Sequence, residues 1–333
     1  MMLNYYYYIM FFPIMLLSNL MMLISNSWFS MWMIMEINLI SFICLIMFDK
    51  MMKLENLMNY FLFQVLNSYM YFFFMILMNF ISIDLNNLFI IILMLNKLGF
   101  PPFIQWYLKI LLNMNWMNLF IMMTFQKIIP LIIINNSMIM DYSYIKMLIF
   151  LLLIYMFYSS IMGMNQSNIK IILGYSSIIQ MSWIIILMNF NESYSLNYYI
   201  IYFFIMMSVI YIFYKYNMNN LILSMMNNTK FNYLFMFSIM SLASLPPFFG
   251  FLMKWMSIQL LFNKISLFFL IIMIYISLLS MMFYLRILHL IMLYYSIYLK
   301  LSFKDLNFNH KNNYMIIFMN WFMIFMLLMY EMI

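Results

Sequence analysis

Apolar residues in this chain come in long unbroken runs, and polar residues collect in the short gaps between them. No period-two alternation of a half-buried strand is sustained. Runs of about 20 apolar residues predict membrane-spanning helices. Eleven are read: 5–24, 28–48, 57–80, 83–108, 117–135, 144–163, 168–189, 196–216, 231–262, 265–285 and 314–330. The gaps are short except at 217–230 and 299–313. Residues 286–299 predict a helix along the interface, with Arg286 and His289 on its wet side. The fold class expected is an all-α integral membrane protein with about 11 transmembrane helices and no soluble domain.

Two runs are interrupted in the same way. "NKLGFPPF" at 96–103 and "SLASLPPFFGFLMKW" at 241–255 each place Pro-Pro-Phe, a glycine and a lysine in apolar surroundings. In a continuous helix Pro101 and Pro102 would strand the carbonyls of Lys97 and Leu98, and Pro246 and Pro247 those of Leu242 and Ala243. A residue preceding proline is also pushed away from helical angles. Gly99, Pro101, Pro102, Pro246, Pro247 and Gly250 are therefore read as helix-break residues. The breaks fall in the fourth and ninth spans, an odd offset of five, so the two copies run in opposite directions. That predicts two inverted five-helix repeats, each with a broken fourth helix, plus a C-terminal helix. The expected division is 1–135, a first antiporter-like bundle; 136–299, a second inverted bundle; and 300–333, a loop and C-terminal transmembrane helix. A packing kink explains either break alone as well as a functional one does. A matched pair beside lysines favours function.

Composition sharpens this. The chain is 69% hydrophobic and 7% charged, against roughly a quarter charged in soluble domains. It holds 48 Met, 37 Phe and 28 Tyr, but one Ala, one Arg and two Val. Helix packing does not demand that imbalance; AT-rich codons do, which points to an organelle-type genome. No basic segment or cleavage site precedes Glu36, so the first run is expected to remain as a span. One cysteine, Cys44, excludes a disulfide or a four-Cys cluster within the chain. Two histidines, His289 and His310, are too few for a pair of bis-His haems, and no Gly-rich phosphate loop exists. No redox cofactor, metal or nucleotide site is expected here. The net charge of +7 is spread along the chain, which suits basic loops rather than nucleic acid.

Loop charge sets an orientation. With eleven spans, Lys50, Lys53, Lys109, Lys170, Lys215, Lys230, Lys300, Lys304 and Lys311 fall on one side, and only Lys146 and Lys264 on the other. The basic side is the inside, so the N-terminus is expected inside and the C-terminus outside. Asp49, Glu55, Asp141, Glu192 and Asp305 fall in loops and are expected to be solvated. Asp84 opens the fourth span, where an acid suits a helix N-terminus.

Four charges lie deep: Glu36, Lys97, Lys127 and Lys254. Each costs at least about 2.5–3.5 kcal/mol at mid-bilayer. Snorkelling toward Asn263 and Lys264 accounts for Lys254 structurally, and an ion pair accounts for Glu36. The functional reading is a proton route, because burial lowers a lysine's pKa and a nearby carboxylate raises it again. Glu36 and Lys97 would form the gating pair, Lys127 a relay, and Lys254 an exit or a link to the next subunit. Gln126, Ser176, Ser177 and Gln180 are candidate hydrogen-bond partners, although such residues more often join helices.

These words carry a family resemblance. "SNSWFSMWMIMEINLISFI" around Glu36, "LNKLGFPPF" around Lys97, "TFQKIIP" around Lys127, "MNQSNIKIILGYSSI" at 164–178 and "SLPPFFGFLMKW" around Lys254 cover much of residues 25–255. The chain resembles the mitochondrial NADH dehydrogenase subunit 2 family, antiporter-like membrane subunits of respiratory complex I, in the short form found in insects and other animals. The resemblance implies two five-helix bundles related by inverted symmetry, with a broken helix in each. It implies proton translocation coupled to electron transfer from NADH to ubiquinone, with Glu36, Lys97, Lys127 and Lys254 at the positions that carry protons. It places NADH, FMN, iron–sulfur clusters and ubiquinone in the parent complex. Its implied partners are other complex I subunits, including neighbouring antiporter-like ones, and the lipid bilayer. The location implied is the mitochondrial inner membrane, with the N-terminus in the matrix and the C-terminus toward the intermembrane space. Where the family often reads Ala-Pro-Phe-His-Phe-Trp, this chain has Pro101 for the Ala and Ile104 and Gln105 for His-Phe. Lys109 stands near the place of a family acid. A free-standing cation/proton antiporter and a purely structural membrane subunit are the competing readings.

Overall fold

The computed structural model describes residues 2–47, 49, 52–77, 82–138, 140–216, 229–246 and 248–302. Among the described residues there are helices and no strands. In chain order they are α1 (Met2–Ile24), α2 (Trp28–Met47), α3 (Leu54–Ile76), α4 (Ile83–Leu98), α5 (Ile104–Asn113), α6 (Trp116–Met123), α7 (Phe125–Asn136), α8 (Tyr142–Met164), α9 (Ile169–Met188), α10 (Glu192–Tyr216), α11 (Thr229–Leu242), α12 (Phe249–Phe262) and α13 (Leu267–Ser302).

Among the described residues, seven segments are long and apolar enough to cross a membrane, the α6–α7 pair counting as one. This is an all-α, multi-pass membrane protein. The other four predicted spans have particular fates. Span 83–108 divides into α4 and α5, and 231–262 into α11 and α12, so no half reaches full span length. Span 57–80 is the 23-residue α3, which carries Asn59, Gln64, Asn67 and Ser68. Span 314–330 lies outside the described residues, as does Pro247.

The chain forms two compact units, residues 1–159 with 173–192, and residues 160–172 with 193–333. In the first, α1 packs on α2 and α7, α2 on α3, α3 on both α4 and α5, and α4 on α7. In the second, α11 packs on α12 and α13. Rings fill this core, with Phe213 and Phe235 edge-to-face at 5.2 Å.

Both breaks end their first half-helix with the same device. After α4, the Gly99 amide donates to Asn96 O and the Phe100 amide to Leu95 O, each at 3.1 Å, and Gly99 has φ 86°. After α11, the Ser244 amide donates to Ser241 O at 3.2 Å and the Leu245 amide to Met240 O at 3.3 Å, with φ 56° at Ser244. These are Schellman closures, which satisfy carbonyls that a helix end otherwise leaves bare. In each break the first proline follows two residues later. The left-handed residue of the second break is thus Ser244; Gly250 lies inside α12.

Three sequence expectations are corrected. Asp49 is not solvated: it is 6% exposed and accepts from the side chains of Asn115, at 2.6 Å, and Asn118. Tyr8 in turn donates to Asn118, at 2.5 Å. The acid ties the ends of α2, α6 and α1 together, and its partners lie more than 60 positions away in sequence. Residues 286–299 are not a separate interfacial helix but continue the 36-residue α13. Arg286 there donates to the carbonyls of Met164 and Gln166, beyond the C-terminal end of α8, where a cation is favoured. Finally, run 117–135 is interrupted at Thr124 (φ −120°, ψ −84°).

Candidate functional site

Lys97 and Lys127 line one small cavity of about 20 Å³, together with Tyr60, Gln64, Tyr107 and Gln126. That is room for about one water molecule. Both lysines are buried, at 8% and 2% exposure. Lys97 is in the last turn of α4 and Lys127 in the first turn of α7, so each sits beside a helix interruption.

At the first interruption, Gln64 of α3 donates to the Lys97 carbonyl at 3.3 Å, meeting one of the acceptors that the prolines leave. The Lys97 ammonium points at Met35 Sδ, 3.4 Å away, a weak acceptor. Glu36, the next residue along, is half-buried and accepts from Ser68. Among the described residues no ion pair joins Glu36 to Lys97 directly. Gln64 and Ser68 lie four apart, so one face of α3 serves both groups.

Interruption at Thr124 has a local cause. The Thr124 hydroxyl and amide both bond Phe120 O, at 2.7 and 3.0 Å, and Pro130 offers no amide to Gln126 O. The Phe125 carbonyl accepts from Asn19 at 3.3 Å. Asn19 accepts from Asn38 at 2.8 Å, and Asn38 from Gln126 at 2.6 Å. A carboxamide chain from α1 through α2 to α7 therefore braces the turn that presents Lys127.

Lys127 Nζ donates to Ser177 Oγ at 2.9 Å and lies 5.2 Å from the centre of the Tyr107 ring, within cation–π range. Ser177 has one hydroxyl hydrogen, directed to Gly174 O at 2.7 Å. In its 2.8 Å contact with Tyr107, Ser177 is therefore the acceptor and Tyr107 the donor. Two glycines permit this. A Cβ at Gly99 would meet Tyr107 Cγ at 2.7 Å, and one at Gly174 would meet Leu111 Cδ1 at 2.8 Å. The Tyr107 ring thus lies against the first break while its hydroxyl reaches the ligand of the second lysine. Tyr107→Phe keeps the ring and removes the donor. It should leave assembly intact and slow proton pumping by up to about five-fold, the worth of one hydrogen bond of about 1 kcal/mol. Pumping by reconstituted complex checks this; an unchanged rate would remove Tyr107 from the site.

In the second unit Lys254 is buried at 8% exposure on α12. Among the described residues its ammonium has no hydrogen-bond partner; its carbonyl accepts from Ser257 at 2.7 Å.

Residues 25–280 match the family described as "NADH:quinone oxidoreductase/Mrp antiporter, TM". The chain belongs to that family. It is 32% identical to NADH-ubiquinone oxidoreductase chain 2 of Anopheles gambiae, covering 87% of this chain and 83% of that one. With the Aedes aegypti chain 2 the identity is 33%, covering 91% and 87%. Among solved structures, a chain of the Mrp complex from Dietzia superposes with TM-score 0.73 at 13% identity, covering 82% of this chain and 58% of that one. A chain of respiratory complex I from Thermus thermophilus gives 0.65 at 15%, covering 96% and 83%. Those structural likenesses carry the fold.

For this family member, the sequence pointed to Lys97, Lys127, Ser177 and Gln126, and the structure gathers them with Gln64 and Tyr107. It missed Tyr107, Gln64, Ser68 and the interruption at Thr124. The polar positions 56, 60, 64 and 68 of α3, spaced by four, were a signal for two of them. Ser176 bonds its own helix, at Leu173 O, 2.9 Å away.

Proposed function

We propose that the chain is a core membrane subunit of NADH:ubiquinone oxidoreductase that takes part in moving protons across the mitochondrial inner membrane. The observation that carries the reading is the cavity shared by two buried lysines, each beside a helix interruption. One water there hands a proton between Lys97 and Lys127. Tyr107 and Ser177 hold the second ammonium in position. Glu36, held by Ser68, biases the charge on Lys97 through the field rather than by direct contact. Lys254 continues the route or connects it to a neighbouring antiporter-like subunit.

The finer arrangement belongs to the same proposal. It has eleven spans in two inverted five-helix repeats, divided at 135/136, with residues 300–333 as loop and final helix. The two matching Schellman closures support it. The N-terminus faces the matrix, as the basic loops favour. NADH oxidation and ubiquinone reduction take place in other subunits, which hold the FMN and iron–sulfur clusters; this chain contributes to the translocating half of the enzyme.

Native separation of solubilised inner membrane, followed by mass spectrometry, tests the reading. The chain should migrate with a large NADH-oxidising assembly. Migration alone, or with carriers only, would overturn it in favour of a free-standing cation/proton antiporter.

A further inference from the structure

A second and larger cavity, about 200 Å³, lies where the first turns of α3 face α5. Its lining residues include Asn56, Asn59, Gln105, Lys109, Phe63 and Trp106. Among the described residues that line it there is no acid. The Phe63 and Trp106 rings stack at 6.4 Å. Trp106 is 3% exposed, and among the described residues its indole N–H has no hydrogen-bond partner. The cavity also meets the N-terminus of α5, where Phe103 supplies no side-chain cap and two prolines precede. Bare amides there carry a positive partial charge. Everything polar on these walls can donate, and the one formal charge is positive.

Depth identifies the occupant. Asn56 and Asn59 lie within about 8 Å of the start of α3, and α4 covers about 24 Å before the break. The cavity is therefore near one edge of a hydrocarbon core about 30 Å thick, at the end that bears Lys53 and Lys109. Phe103, at the start of α5 and on the cavity wall, is exposed and apolar. A basic pocket between helices at this depth suits a lipid headgroup. Trp106 contacts both Tyr60 and Tyr107, with centroids 5.8 Å away in each case. Those tyrosines line the inner cavity and Trp106 the outer one, so an aromatic layer stands between the occupant and the lysine pair.

The breaks add a comparison. Lys109 follows Pro102 by seven residues, as Lys254 follows Pro247. Lys254 is buried, whereas Lys109 is exposed at the cavity.

We propose that this cavity is a binding site for the phosphate of an anionic phospholipid. Lys109 supplies the counter-charge, Asn56, Asn59 and Gln105 the hydrogen bonds, and the exposed ring of Phe103 at the cavity wall meets the acyl chains.

The test uses the whole assembled complex and a photoactivatable anionic phospholipid. Labelling should fall on peptides spanning 56–63 and 103–110. Lys109→Gln should lower it about five-fold, the worth of one lysine at a membrane surface, with NADH oxidation retained. Asn59→Leu, which keeps the charge, should lower it as well. An unlabelled anionic phospholipid should compete, and a zwitterionic one with the same chains should compete poorly. Equal competition by the zwitterionic lipid, or equal labelling of wild type and both variants, would overturn the proposal. So would displacement by inorganic phosphate, which would mark a free-anion site. Absence of label, with a cross-link from these peptides to another subunit, would assign the cavity to a protein partner and equally overturn it.

Discussion

Gly250→Ala is expected to cut the amount of assembled protein several-fold. Gly250 lies in the first turn of α12, against the end of α11. A Cβ there would stand 1.8 Å from the Ser241 carbonyl oxygen and 3.1 Å from Ser244 Cα. Both are backbone atoms, so no side-chain rotation relieves the overlap. Ser241 O is also the acceptor for the Ser244 amide in the Schellman closure, and the two half-helices would have to separate to admit one methyl group. Overpacking usually costs about 1–3 kcal/mol, and a collision between backbones belongs at or above the upper end. A loss of that size changes abundance in the cell several-fold. Ser244→Gly is the natural control. Ser244 holds φ 56°, a conformation that strains a side-chain-bearing residue by about 1 kcal/mol or more, so this substitution should preserve or raise assembly. The measurement is the quantity of the chain in the native assembly. Wild-type levels for Gly250→Ala would mean that α11 and α12 do not approach this closely.

Lys97→Met should reduce proton pumping on the order of 100-fold, as removal of a proton-transferring group does, with the complex still assembled. The exchange suits the site sterically. Lys97 is buried and its ammonium already faces the Met35 thioether. Removing a deep charge relieves an insertion cost of about 2.5–3.5 kcal/mol. A folding defect is therefore not the expected outcome, and protons pumped per NADH oxidised reads the proton step itself. Lys146, exposed and lying over the Tyr142 ring at 4.5 Å, is the control; Lys146→Met should pump normally. Normal pumping by Lys97→Met would refute the shared-cavity mechanism.

The sequence was most readable where the chemistry was local. Two consecutive prolines inside an apolar run must end a helix whatever surrounds them, so both breaks were visible. A lysine with about ten residues of a predominantly apolar span on each side must lie deep, so Lys97 and Lys127 were visible too. Geometry between distant segments was hidden. Tyr107 looked like one more aromatic among 28 tyrosines; only the close approach at Gly174 brings it to Ser177, 70 positions away. Asp49 looked like a loop acid because Asn115 and Asn118, which solvate it in place of water, are remote in sequence. The Thr124 interruption had only Pro130 as a herald, and a single proline does not say where upstream a helix will part. Long apolar runs also conceal halves: a count of spans from hydropathy merges α4 with α5 and α11 with α12.

The crowding around the glycines bears on how such a chain changes over time. Only four glycines stand among 333 residues, in a composition pulled toward AT-rich codons, and glycine codons run against that pull. At Gly99, Gly174 and Gly250 an added Cβ would approach another atom to 2.7, 2.8 and 1.8 Å. Mutational drift can replace glycine wherever a larger side chain is tolerated; at Gly250, against backbone, and at Gly99, with its positive φ, a survivor of drift coincides with a steric veto, whereas at Gly174 the ends of two leucine side chains would have to turn aside. The few glycines of a compositionally eroded protein then act as a record of where its backbone comes closest to its neighbours, and a saturation library should find Gly99 and Gly250 among its least permissive positions.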